Sequence, residues 1–153
     1  MLFAIYLRWV IHKALLPFAD GLEPSNPKFN DRLFDLYMLG DRLGDKKFKN
    51  EIVDQVEYGQ DDENGRVPLP CHESICKVYE HTTRGCTLQK RIIEIWARLA
   101  RPHDFTVANV AALPEFYAEV LKSSAAGRRR HEPVDHCYYH EHGEDNPDCI
   151  WKL

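Results

Sequence analysis

Residues 31–58, DRLFDLYMLGDRLGDKKFKNEIVDQVEY, decide the fold. Leu33, Leu36, Tyr37, Gly40 and Leu43 lie three and four residues apart and fall on one face of an α-helix. Asn30 or Asp31 offers the short polar side chain that caps such a helix. A glycine inside the apolar stripe, Gly40, predicts close contact with a neighbouring helix. Gly44-Asp45 breaks the period, which resumes through Phe48, Ile52, Val53 and Val56. So short a break implies two helices packed antiparallel or steeply crossed.

The same period extends outward in both directions. Residues 2–13 read as a helix, and the surrounding stretch MLFAIYLRWVIHKALLPFADG raises the question of a membrane. A spanning helix needs about 20 nearly uninterrupted apolar residues, and Arg8, His12 and Lys13 break this one. A secretory signal carries its charge ahead of the apolar region and ends in small residues; here the charge lies inside and behind. An amphipathic helix is expected, followed by the turn-rich linker DGLEPSNPKFN (20–30). Beyond residue 58, GQDDENGRVPLP (59–70) reads as an acidic loop. HESICKVYEHT (72–82) reads as a short helix with Ile75, Val78, Tyr79 and Thr82 inward. Thr87 is placed to cap LQKRIIEIWARLA (88–100), whose inward residues are Leu88, Ile92, Ile95, Trp96 and Leu99. Two further short helices, 106–112 and 114–123, close the series, with Pro114 in a first turn. From Ser124 the composition turns polar. The expected fold is an all-α bundle of about six or seven helices over residues 1–123, with an irregular Cys/His-bearing C-terminal tail over 124–153.

Composition agrees with one globular unit. The chain has 153 residues, 44% hydrophobic and 29% charged, enough to bury a core. A net charge of −4 with acids spread along the chain gives no reason to expect nucleic acid. Arg128-Arg129-Arg130 reads as a solvated linker. Five cysteines with no export signal before them imply reduced thiols in the cytoplasm or nucleus.

The tail stretch CYYHEHGEDNPDC carries the clearest chemical pattern. Cys137, His140, His142 and Cys149 supply two thiolates and two imidazoles, the set that satisfies tetrahedral zinc, with His131 and His136 as substitutes. Four protein ligands would close the sphere, which points to a structural zinc and away from catalysis. A polar His-rich tail and a redox cysteine pair are the other readings of these residues. Cys71, Cys76 and Cys86 read as neutral thiols. A cysteine hydrolase built on Cys71 and His103 finds no local feature to activate either residue. Asp61, Asp62 and Glu63 lack the alternating oxygen ligands and closing glutamate of a calcium loop. No glycine-rich phosphate loop, serine elbow or HExxH occurs. Trp96, Tyr79 and Phe116 read as core, and no enzymatic activity is expected.

Several segments carry a family resemblance. LFDLYMLGDRLGDKKFKNEIVDQV (33–56) resembles the helical pair that follows the strand-rich core of BTB/POZ domains, through Leu36, Tyr37, Gly40, Asp41, Arg42, Leu43, Phe48, Lys49 and Asn50. FAIYLRWVIHKAL (3–15) looks like the preceding helix of that family, with Ile11-His12-Lys13 in place of its Tyr-Thr-Gly turn. ICKVYEHTTRGCTLQKRIIEIW, ALPEFYAEVL and CYYHEHG resemble later elements of fungal-type BTB proteins. The likeness is to the C-terminal half of such a protein, without the strand-rich N-terminal core. It implies a non-enzymatic protein–protein interaction module, part of an adaptor or scaffold, with a protein partner or self-association. A cullin-type ligase is implied only where an upstream BTB core exists. Helices that normally cover a sheet would then expose an apolar face, and Phe3, Tyr6, Leu7, Trp9 and Val10 are the candidate partner-binding residues. The alternative is a small zinc-stabilised binding domain that contacts nucleic acid through Arg128 to Arg130 and the tail. Neither reading calls for a membrane.

Overall fold

The computed structural model describes residues 2–12, 28–56, 69–126 and 139–141. Among them lie seven α-helices: α1 (Leu2–His12), α2 (Lys28–Leu43), α3 (Lys46–Gln55), α4 (His72–His81), α5 (Thr87–Leu99), α6 (Val107–Ala112) and α7 (Pro114–Ala125). A single 3₁₀ turn, Pro102–Asp104, links α5 to α6. No strand occurs among the described residues, so the architecture found is the expected all-α bundle, with seven helices where about six or seven were expected.

The α2–α3 pair is organised by its turn. Gly44 takes φ 68°, a conformation that favours glycine. The amides of Gly44 and Asp45 donate back to the Asp41 and Gly40 carbonyls at 3.1 and 3.0 Å, which satisfies the end of α2. The Asp45 side chain then caps α3, accepting from the Phe48 amide at 3.0 Å. Two helices separated by two residues must fold back on each other, and Gly40 sets how closely they cross. A Cβ at that position would stand 2.8 Å from Phe48 Cδ1 and 3.1 Å from Lys49 Cγ. Leu33, Leu36, Tyr37, Phe48, Ile52, Val53 and Val56 are all buried as their spacing implies. Leu43 departs from that expectation. It is the last residue of α2, where the chain turns away from the core, and it is 46% exposed.

Helix α2 also starts earlier than its capping residues suggest. It reaches back to Lys28 because Phe29 is buried and extends the apolar face by one turn. Asp31 accepts instead from the Ser74 hydroxyl of α4. A similar displacement occurs at α5. Its N-cap is Cys86, not Thr87. The Thr87 hydroxyl lies 2.9 Å from the Tyr37 hydroxyl in the interior, so it is unavailable as a cap. The Gly85 amide, just ahead of the helix, donates to Gln89 Oε1 at 2.8 Å.

The core forms on either side of α5, through Leu88, Ile92, Ile95 and Trp96, with Leu99 partly buried. Helix α7 packs on it through Phe116, Tyr117 and Val120. Trp96 meets Phe116 and Tyr117 edge-on at 5.5 and 5.6 Å, and Phe105 closes the cluster at 5.9 Å from Trp96. Edge-to-face aromatic contacts of this kind add about 0.5–1.5 kcal/mol beyond area burial. Thr106 caps α6 by accepting from the Asn109 amide at 3.2 Å. In α4, Ile75 and Val78 are buried and Tyr79 and Thr82 half-buried. No helix among the described residues is long and apolar enough to cross a membrane.

Candidate functional site

Helix α1 lies over the α2–α3 pair and is two-sided. Ile5 and Trp9 point inward and are buried. Trp9 and Tyr6 pack on Phe48 with ring centroids 5.1 and 5.0 Å away, and the Tyr6 hydroxyl donates to Asp45 at 3.2 Å. Phe3, Leu7, Val10 and Ile11 remain exposed, Phe3 at 54% and Ile11 at 72%. The five expected partner-binding residues therefore divide. Phe3, Leu7 and Val10 form an outward apolar stripe; Tyr6 is half-buried; Trp9 belongs to the core and is corrected out of the surface set. Helical geometry explains the split, since positions 5 and 9 share one face while 3, 7, 10 and 11 share another. Ile11 was obscured in the sequence because it sits among Arg8, His12 and Lys13.

A second site is built where the tail returns to the bundle. Tyr139, His140 and Glu141 rest on α2, α3 and α5. The Glu141 amide donates to Asn50 Oδ1 at 2.8 Å, and Asn50 Nδ2 donates to the Glu141 carbonyl at 3.2 Å. One side-chain amide thus reads both backbone groups of one residue. The Glu141 carboxylate receives Lys49 Nζ at 2.9 Å on one oxygen and 2.8 Å on the other. Tyr37 adds a hydroxyl donor at 3.3 Å. On its other side Lys49 donates to Asp41 at 2.9 Å. Tyr139 is 2% exposed, with the Arg91 guanidinium 5.1 Å from its ring centroid.

The electrostatics of this seat follow from burial. Burial opposes the charge on Lys49, but the hydrogen bonds and charges of Glu141 and Asp41 outweigh it and raise the ammonium pKa. Burial, then the Cys86 thiol, push the Tyr37 hydroxyl up, with Glu141 adding to the shift against Thr87. Tyr37 therefore stays a neutral donor. His140 is nearly enclosed, its side chain 5% exposed, and its Nε2 lies 2.8 Å from Asp54 Oδ1. Burial and the nearby Asp54 raise the Glu51 carboxyl pKa, while His140 acts in the opposite sense.

Of the four expected zinc ligands, His140 alone falls among the described residues; Cys137, His142 and Cys149 lie outside them, as do Arg128 to Arg130 and Asp61 to Glu63. Among the described residues no group of three or more His, Cys, Asp or Glu is placed to hold a metal ion. Sequence reasoning missed Tyr37, Lys49, Asn50, Asp54 and Arg91 as a seat. A signal for one of them was present: position 49 lies three and four residues before Ile52 and Val53, on the apolar face of α3.

Among the described residues Cys76, not Cys71, has a histidine within contact distance, and that histidine is His72 and not His103. His103 sits in the 3₁₀ turn, 3.6 Å from Asp104. Cys76 Sγ lies 3.3 Å from His72 Nε2, and His72 Nδ1 lies 3.2 Å from the Tyr117 hydroxyl. Both Cys71 and Cys76 line an open cleft of about 460 Å³ between α2 and α4, with Asp31, Phe34, Ser74 and Lys77. Burial, then Glu80 and Cys71, push the Cys76 thiol up. That keeps it protonated and poorly nucleophilic, in line with the neutral-thiol expectation.

Compared with protein-family models, curated proteins and solved structures, the chain matches none.

Proposed function

We propose that this chain is a non-enzymatic protein–protein interaction module of BTB/POZ type, acting in the cytoplasm or nucleus and docking through the outer face of α1. The observation that carries this reading is the stripe of Phe3, Leu7, Val10 and Ile11, four large apolar side chains held outward by a helix whose other side is fixed to the bundle. Leaving such side chains in water forgoes roughly 1.5–3 kcal/mol each relative to full burial. A stripe at this spacing suits a flat apolar partner surface. The occupant most consistent with the likeness of residues 33–56 is the sheet face of a strand-rich BTB core. In that arrangement the α2–α3 pair buttresses α1 from behind, through Phe48 and Asp45, and the adaptor or scaffold role follows from what the complete assembly binds.

The test uses the chain by itself. Sedimentation velocity and binding of a dye that fluoresces on apolar surfaces are measured for the natural chain and for Phe3→Asp/Ile11→Asp. The natural chain is expected to bind dye and self-associate. The double variant is expected to lose most of both with its helical circular dichroism intact. A natural chain that is monomeric and binds no dye overturns the reading.

A further inference from the structure

The contacts of Tyr139, His140 and Glu141 have the form of peptide recognition. Three consecutive residues meet partners 48 or more positions away in the chain: Arg91 on α5, Asp54, Asn50 and Lys49 on α3, and Tyr37 on α2. Each contact reads a different property. Asn50 pairs with the amide and carbonyl of Glu141, which holds the backbone at that residue whatever its side chain. Lys49 and Tyr37 require a carboxylate at that same residue, and Lys49 is itself held by Asp41 with its side chain only 8% exposed. Arg91 lies against an aromatic ring two residues earlier. Backbone reading supplies affinity, while an aromatic anchor and a charged anchor supply selectivity.

We propose that the surface formed by Tyr37, Lys49, Asn50 and Arg91 is a recognition site for an aromatic–X–glutamate peptide, occupied in cis by the chain's own Tyr139–Glu141 and able to take a separate peptide of that chemistry in trans. The tethered segment acts as an intramolecular competitor for any separate peptide of the same chemistry. A partner bearing the same signature therefore gains the site only when it is locally concentrated or when the tail is drawn away. None of its contacting residues belongs to the α1 stripe, and the proposal does not rest on that stripe.

The experiment titrates a fluorescein-labelled peptide, Tyr-Tyr-His-Glu-His-Gly, into the natural full-length chain and into full-length Tyr139→Ala/Glu141→Ala, and reads anisotropy. The double variant is expected to bind at least tenfold more tightly than the natural chain. A peptide with alanine for glutamate is expected to bind neither, and adding Asn50→Ala to the double variant is expected to abolish binding. Equal affinity for the natural chain and the double variant, or no binding to a double variant that keeps its helical signal, overturns the proposal. Where the double variant loses its helix, the peptide is added during refolding. Recovery of helix with the glutamate peptide and not with its alanine counterpart supports the site, and recovery with neither or with both overturns it.

Discussion

Gly40 shows how one residue sets the geometry of a helix pair. Its missing Cβ is the space into which Phe48 and Lys49 pack. Alanine there gains about 1 kcal/mol of helix propensity, but overpacking a filled interior costs about 1–3 kcal/mol. Gly40→Ala is expected to lower urea stability by about 1 kcal/mol net, and Gly40→Val by more, because its extra methyl groups add to the overlap. Lys49 carries a different lesson. Replacing it with methionine leaves the Asp41 and Glu141 carboxylates together without the cation they share, and removing one partner of a buried ion pair is strongly destabilising. Glu141→Ala leaves the ammonium buried with Asp41 alone, and a buried group that loses a partner costs about 1–3 kcal/mol. Urea melts of Lys49→Met and Glu141→Ala should therefore show the lysine variant to be the weaker. Glu51 adds a pH test. A carboxyl whose folded pKa is raised favours the fold only while protonated: the contribution is complete below the unfolded value and is lost as pH rises through the folded one. Burial and Asp54 raise Glu51 in this way, so it works against the fold at neutral pH. Glu51→Gln is expected to raise the urea midpoint at about pH 7 and leave it unchanged below about pH 4. The same gain at both pH values would contradict this account.

At the scale of the element, α5 is the member on which the bundle depends. Its apolar residues were legible from their spacing, and Phe116 of α7 was legible as core; the packing of α7 against α5 was not. Its surroundings on the other sides were not. Thr87, Gln89, Arg91 and Glu94 occupy positions that periodicity assigns to solvent, yet all four are buried. They tolerate burial because partners reach them: Tyr37 lies against Thr87, Thr82 and the Gly85 amide meet Gln89, Arg91 Nε donates to the Val56 carbonyl at 3.1 Å, and Arg98 pairs with Glu94 one turn on. A hydrophobicity pattern records which side chains avoid water. It does not record which polar side chains will find hydrogen-bond partners supplied from elsewhere in the fold, and Lys49 escaped notice for the same reason. The contrast between core and surface is measurable along this wall. Phe116 is fully buried against Trp96 and Tyr117, and Phe116→Ala is expected to cost about 3–5 kcal/mol. Val107, at 88% exposure on α6, is expected to change stability by less than about 0.5 kcal/mol when replaced by serine. Urea denaturation of the two variants separates these cases directly.

At the scale of the molecule, the seven helices among the described residues pack around one core cluster, and a short return of the tail links α2, α3 and α5. The sequence marked residues 124–153 as a polar tail with metal-ligand spacing; α7 runs on through Ala125, and Tyr139, His140 and Glu141 return to the bundle. Tyr139 is as buried as the core, Glu141 completes the coordination of Lys49, and His140 faces Asp54. No local pattern could have revealed this, since each contact joins positions 48 or more residues apart and depends on a surface that exists only after α2, α3 and α5 have assembled. The dependence also runs in one direction. The helices bury their apolar residues mainly against one another, so a chain whose tail has lost its hold should keep its helical content while losing stability. Tyr139→Ala/Glu141→Ala deletes a buried aromatic ring and one of the two carboxylates on a buried lysine. The expected loss is on the order of 3–5 kcal/mol, taken from the usual cost of a buried aromatic truncation with a share for the broken ion pair. Circular dichroism at low denaturant should be unchanged, the urea midpoint should fall, and unfolding should remain a single transition. An unchanged midpoint would mean that the tail rests on the bundle without contributing to it, and a loss of helix before any urea is added would make the return of the tail a condition of folding.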